Sequence, residues 1–282
     1  MKVMKDANKS YLLGAHTDHI PAELSDLPQL HEIDYLRRVL TADPTHPGFQ
    51  HVSHLLEDFR IEGPNGRHLC LVTDLLGEGL DKYCRQFPNR QVPIAIVKSI
   101  FRQVAMALMY LHDKCNIIHT DVKNNNILLT LPDGGTISSP LPTDVKVKLI
   151  DFGPAGLTTP PPADVWALGC LVYELATGEF ILSESVDEMS MPYMHALIFG
   201  GPYPLALIKR GKFSSYFFKP DGSPLFDIEG EAPLAEIIRR RYKGPDPEGL
   251  IQFLQTIFRL DPEERPTLQT LLEHPWLSAL VV

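Results

Sequence analysis

No two cysteines in this sequence are spaced as C-x-x-C: Cys70, Cys84, Cys115 and Cys170 stand singly, each in or beside an apolar run. That excludes a cysteine-paired zinc site and a dense disulfide scaffold, and it fits free thiols in a reducing compartment. Long hydrophobic runs are scarce as well. The longest, Val165–Tyr173, is too short to cross a bilayer, and no secretory signal pattern is read at the start. Positive charge is also in short supply, with 26 Lys and Arg against 35 Asp and Glu. The deficit lies late in the chain: residues 151–282 hold 10 basic and 18 acidic groups and so −8 of the −9 net charge. Such an acidic half argues against a nucleic-acid scaffold and points to a basic partner.

What is present is an ordinary globular composition, 44% apolar and 22% charged over 282 residues, enough for a substantial core without metal or disulfide staples. Proline is in excess, 25 residues, much of it between Pro132 and Pro162. Leu30, Ile33, Leu36 and Leu40 recur at helical spacing, with Glu32 off that row. The run His68–Leu76, closed by Gly77-Glu78-Gly79, reads as a buried strand with Leu55–Ile61 as its partner. A long helix is expected from about Pro93 through Ile96, Ile100, Val104, Leu108 and Leu111. Two short strands, 127–131 and 145–150, flank a Pro/Gly/Ser loop, and helices are expected at 164–177, 193–210, 233–241, 247–259 and 267–273.

The residues with chemical meaning lie between these elements. His119-Thr120-Asp121-Val122-Lys123-Asn124-Asn125-Asn126 precedes the first short strand, and Asp151-Phe152-Gly153 follows the second, 25 residues after Asn126. The pair, in this order and beside hydrophobic strands, resembles the catalytic loop and metal-binding motif of protein kinases. Phosphoryl transfer needs a carboxylate to accept the nucleophile's proton and oxygen ligands for magnesium converging from two loops. The resemblance gives Asp121 the first role and Asn126 and Asp151 the second. Lys123 is similar to the lysine that serine/threonine kinases place near the transferred phosphate.

A wider resemblance, carried by Met1-Lys2-Val3-Met4-Lys5, LHEIDYL (30–36), DFRIEGPNGRHLCLV (58–72), CNIIHTDVK (115–123) and ADVWALGCLVYELATGE (163–179), is to the SR-protein kinases, which phosphorylate Arg/Ser-rich splicing factors, and their fungal relatives. It implies an α+β, two-lobed kinase-like fold, with residues 1–79 as a truncated N-terminal lobe and hinge and 80–282 as a mainly helical C-terminal lobe. It also implies ATP and Mg2+ as cofactors, with Lys2 on the α and β phosphates, Glu32 as its ion-pair partner, Thr73 as gatekeeper, and Asp74 and Leu76 offering backbone groups to adenine. Leu36, His119, Phe152 and Asp164 take architectural roles. Thr120 stands where most kinases have arginine, which implies a kinase not switched on by activation-loop phosphorylation. The implied partner is a protein substrate, Arg/Ser-rich splicing factors in particular, with no direct nucleic acid, no membrane, a monomeric state and a cytoplasmic or nuclear location.

Two departures stand against this. No G-x-G-x-x-G occurs, so the strands carrying it are expected before residue 1. Asp151 also lies only 13 residues before Asp164, where the activation segment and the A-P-E element belong. Arg265, similar to the arginine that pairs with the A-P-E glutamate, is left without a visible partner and, if buried, is expected to be costly. The alternative reading is therefore a catalytically impaired or truncated kinase fold acting as a binding module.

Overall fold

The computed structural model describes residues 2–4, 27–63, 66–131, 145–152, 160–182, 190–226 and 232–278. These group into two compact units, one of Met1–Leu80 with Gln103–Pro160 and the other of Asp81–Arg102 with Pro161–Val282.

In the first unit, β1 (Lys2–Met4), β2 (Leu55–Gly63) and β3 (Gly66–Thr73) form an antiparallel sheet in the order β1-β3-β2. The central strand β3 buries Leu69, Cys70 and Leu71 in succession, while the outer strand β2 leaves Phe59 and Ile61 exposed. Helix α1 (Leu27–Thr41) buries Ile33, Leu36 and Val39 along one stripe. The expected strand His68–Leu76 is broken, because β3 ends at Thr73 and β4 (Leu76–Gly79) belongs to a second sheet with β5 (Ile127–Thr130) and β6 (Val147–Leu149) in the order β4-β5-β6. The break has a cause at Asp74. Opposite His54 in the β2–β3 register, its amide still donates to the His54 carbonyl at 3.2 Å, but its carboxylate rather than its carbonyl accepts the His54 amide at 3.1 Å, and the ladder ends there.

Helix α2 (Ile94–Met109) begins one residue after Pro93 and widens into a π-turn over Tyr110–Lys114. The stretch Ile94–Lys114 is long and apolar enough to cross a membrane by length and composition; its most apolar 18-residue window is 72% buried within the protein, as core helices are. Within the first unit its Gln103 side chain closes the β6 end: Nε2 donates to the Val145 carbonyl at 2.7 Å and Oε1 accepts the Val147 amide at 2.9 Å. The Tyr110 hydroxyl donates to the Val39 carbonyl at 2.5 Å and Arg38 to the Cys115 carbonyl at 3.1 Å, so the C-terminal end of α1 is fixed to the π-turn.

The second unit is helical: α3 (Pro162–Thr177), α4 (Met191–Phe199), α5 (Leu205–Arg210), α6 (Leu234–Arg241), α7 (Pro247–Ile257), α8 (Leu268–Leu272) and α9 (Pro275–Ser278). Its core is aromatic in part, with Phe253 stacked on Trp276 at 4.5 Å and edge-on to Phe101 at 5.1 Å. The single helix expected at 193–210 is two. Gly200 at φ 94° and Gly201 at φ 147° leave the helical region after Phe199, and Pro202 and Pro204 prevent its resumption before Leu205. Gly178, at φ 76°, ends α3, and a Cβ there would lie 2.0 Å from the Asn89 carbonyl oxygen.

Arg265 departs from expectation. Its Nε donates to the Arg259 carbonyl and its Nη1 to the Pro162 carbonyl, both at 2.9 Å, and the guanidinium lies 4.6 Å from the centroid of the Trp166 ring. Two carbonyl dipoles and a π face take the place of the missing carboxylate, so the charge is not orphaned. All four cysteines are free, and burial pushes the Cys84 and Cys170 thiols up to about 12, where they are inert as nucleophiles.

Candidate active site

The segment His119–Asn126 and both short strands lie in the first unit, beside a cleft of about 430 Å³ lined by Leu36, Leu71, Thr73, Asp74, Leu76 and Asp151, among others. That volume is within the usual range for small-molecule sites. Its walls are aliphatic, its polar groups few.

The loop is built outward from His119, which is fully buried. Its Nδ1 accepts the Asp121 amide at 3.2 Å, so the proton sits on Nε2, which donates to the Ile150 carbonyl at 3.0 Å. One imidazole thus ties the catalytic loop to the end of β6. Phe152 follows one residue beyond Asp151, 1% exposed, with its ring 5.8 Å from that of His119. Leu36 and Asp164 are buried as well.

Two residues bend the backbone at this point. Thr120 has φ 66° and Asp151 φ 67°, in the left-handed region. Aspartate tolerates that conformation; a β-branched threonine does so only where its surroundings hold it. The turns carry the Asp121 and Asp151 side chains away from the straight course of the chain.

Asp121 meets two partners on one oxygen. Oδ2 accepts from the Asn126 side-chain amide at 2.9 Å and from the Lys123 ammonium at 2.7 Å, while the same Asn126 nitrogen also donates to the Asp121 carbonyl at 2.9 Å. Oδ1 of Asp121 has no partner among the described residues and is the oxygen available to a substrate hydroxyl. Because Nδ2 of Asn126 is committed to Asp121, its Oδ1 is the atom it can offer elsewhere. The Asn126 carbonyl accepts the Ile150 amide at 2.9 Å, and Ile127 is paired with Leu149, so Asp151 begins one residue beyond a strand bonded directly to Asn126. Asp121, Lys123, Asn126 and Asp151, 30 residues apart in sequence, are thereby held by one loop and one strand end.

At the far side of the cleft, Leu76 pairs with Thr130. Asp74 has its amide engaged by His54, leaving its carbonyl as the backbone group for a ligand. Sequence reasoning missed what the Asp74 side chain does: Oδ2 accepts from the Lys148 ammonium at 2.5 Å, and Lys148 lies 3.4 Å from Nδ1 of His54. Burial foremost, then the nearby Lys148, push the His54 pKa down, and its Nε2 donates to the Phe49 carbonyl at 2.9 Å. Residues 54, 74 and 148 share no local motif, so no signal in the sequence joins them. The backbone of Lys2 pairs with Leu71, a cleft residue, but the side chains of the expected Lys2–Glu32 ion pair are outside what the structure describes. So is the interval between Phe152 and Pro160.

The protein kinase domain family matches residues 29–163 and 156–277, two pieces whose junction falls in the shortened interval after Asp151. The chain is 26% identical to the serine/threonine-protein kinase SRPK of Physarum polycephalum over 88% of its own length and 75% of that protein's. It is 28% identical to serine/threonine-protein kinase ppk5 of Schizosaccharomyces pombe over 87% of its length, and 46% identical to SRSF protein kinase 3 of Mus musculus over 36%. It spans only 30% and 18% of these last two relatives.

Proposed function

We propose that this chain, which belongs to the protein kinase family and carries an SR-protein-kinase-like catalytic domain, transfers the γ-phosphate of ATP to serine or threonine of a protein substrate. The observation that carries the reading is the division of labour at Asp121: Oδ2 is held by Lys123 and Asn126, and Oδ1 is left for the proton of an incoming hydroxyl. A kinase-fold binding module would have no need of a carboxylate oriented in this way.

The donor set fits a hard divalent ion. Asp151 brings a carboxylate and Asn126 an amide oxygen, the ligand types that magnesium prefers. Bound Mg2+-ATP would supply the phosphoryl group and the cation that neutralises its charge. The chain's own residues do the rest. Asp121 receives the hydroxyl proton on Oδ1, and Asn126 fixes the rotamer that presents it. Lys123 sits in a solvent-exposed ion pair worth ~1 kcal/mol or less and therefore exchanges readily from Asp121 toward an anionic phosphate. The aliphatic cleft between Leu71, Leu76 and Leu128 suits a planar base, with the Asp74 carbonyl as acceptor for its amino group.

An Arg/Ser-rich substrate is favoured by the likeness to the SR-protein kinases and by the −8 charge of residues 151–282, which would attract cationic peptides and speed encounter. The test is phosphate transfer from ATP to an Arg/Ser peptide, with an acidic Ser peptide as control. Turnover that is magnesium-dependent and lost in Asp121→Asn supports the reading. Transfer unaffected by Asp121→Asn, or none at any magnesium concentration, overturns it.

A further inference from the structure

The two sheets of the first unit are joined through Asp74. Strand β3 of one ends at Thr73 and β4 of the other begins at Leu76, so Asp74 and Leu75 make the passage between them. Leu75 gives that passage little hold, being 81% exposed. The hold comes from β6, at the far edge of the second sheet. Val147 and Leu149 are buried on one face of β6, which places Lys148 on the other. The Lys148 ammonium donates to Oδ2 of Asp74 at 2.5 Å and to Nδ1 of His54 at 3.4 Å.

His54 anchors the same carboxylate from the first sheet, where it immediately precedes β2. Its amide donates to Oδ2 of Asp74, and its carbonyl accepts the Asp74 amide. The ring stacks on Phe49 at 4.1 Å and Nε2 donates to the Phe49 carbonyl, which leaves the Nδ1 lone pair for Lys148. On either side of Lys148, the Val147 carbonyl accepts from Nδ1 of His51 at 3.2 Å and the Leu149 carbonyl accepts the Ser53 amide at 2.9 Å. Asp74 is thus fixed by amide and carboxylate together, and its carbonyl is the backbone group left over. Asp74 lines the cleft; Lys148 and His54 do not.

We infer that Lys148, acting through Asp74, sets the preference of this cleft for adenine over guanine, an inference that rests on the ATP-dependent reading above. Adenine presents an amino donor where guanine presents an oxo acceptor, so a carbonyl held toward the base attracts one and repels the other. That discrimination needs a carbonyl that cannot turn away, and Leu75 beside it has no ladder partner to hold the peptide in place. Lys148 and His54 are positioning residues, restricting the group that meets the ligand. An ion pair that merely stabilised the fold would support both bases alike.

The experiment measures equilibrium binding, not turnover, on the full 282-residue chain. Calorimetric titrations with Mg2+-ADP and Mg2+-GDP compare the wild type with Lys148→Met, Lys148→Arg and Asp74→Asn, each shown to be folded by circular dichroism. Lys148→Met keeps the aliphatic stem and removes the charge. It is expected to weaken ADP about tenfold or more while GDP changes less than about twofold. Lys148→Arg, which can still donate to the Asp74 carboxylate, is expected to bring ADP back to within about threefold of the wild type. Asp74→Asn keeps the shape of the side chain without its charge; it is expected to lower the preference for ADP in the same direction, and it decides the matter if Lys148→Met does not fold. Unchanged ADP affinity, an equal loss for ADP and GDP, or no recovery in Lys148→Arg overturns the inference and leaves the reading of the cleft standing. A wild-type chain that binds no ADP overturns that reading and the inference with it.

Discussion

Asn126 donates one side-chain nitrogen to two oxygens of Asp121, the backbone carbonyl and Oδ2, each at 2.9 Å. The six-residue loop Asp121–Asn126 is closed on itself by that amide, which with Lys123 sets which carboxylate oxygen remains open.

Removing the amide frees the Asp121 side chain, and misplacement of a catalytic group by about 1 Å costs about 10²-fold in rate. Asn126→Ala is expected to lower initial rates of phosphate transfer by about that factor or more. Asn125→Ala, at an exposed neighbour, should leave them within about twofold. Equal losses at both positions would show that the tether is not what matters.

Thr120 holds φ 66° beside Asp121. A left-handed conformation costs an ordinary L-residue ~1–2 kcal/mol, and asparagine tolerates it best after glycine. Thr120→Asn should raise stability by ~1 kcal/mol, read as a higher urea midpoint at unchanged m-value, whereas Thr120→Val should not. If both variants unfold at the wild-type midpoint, no strain resides there.

Arg265 spends its planar fork on the Arg259 and Pro162 carbonyls while stacked over Trp166. Lysine can reproduce neither the fork nor the stacking. Arg265→Lys is expected to destabilise the second unit by ~1–3 kcal/mol, measured by denaturant unfolding followed through tryptophan fluorescence. A neutral substitution would mean that the stack is incidental.

His195 lies among Trp166, Phe199 and Arg265, with Nδ1 3.0 Å from the Tyr203 hydroxyl. Burial foremost, then the Arg265 charge, push its pKa down to about 4 from an ordinary 6.5. Between those values the unfolded chain binds a proton that the folded one refuses, so stability falls as pH falls through that window and levels off below it. The expected loss is ~2 kcal/mol, less than the full linkage value because the ring is partly exposed. Thermal midpoints from pH 7 to 4 should fall less steeply in His195→Gln. Parallel profiles would remove His195 as a source of acid sensitivity.

Periodicity in the sequence was sufficient for α2, whose apolar residues recur on one face and whose start is marked by Pro93, and for α7, where Asp246 caps and Pro247 opens the helix. The spacing that singles out Asp121, Lys123, Asn126 and Asp151 was legible too, because the first three lie within one short loop and Asp151 follows a strand whose apolar pattern is local. Where continuous apolar character was the guide, boundaries went astray. His68–Leu76 looks like one strand, yet the hydrogen bonds that end it at Thr73 come from His54, remote in sequence. Residues 193–210 look like one helix until the two glycines are seen in positive φ.

The sequence by itself determined which groups this protein brings to chemistry: a carboxylate, an amide, a lysine and a second carboxylate in an order that local spacing records. The loop then holds Oδ2 of Asp121 by Lys123 and Asn126 within five residues, while tertiary structure alone supplied the other partners: that Lys148 answers Asp74, and that Arg265 is satisfied by the Pro162 carbonyl and the Trp166 face, are outcomes of side-chain packing between segments far apart in the chain. Such partners are chosen by distance and burial, and neither quantity is written in the spacing of residues along a sequence.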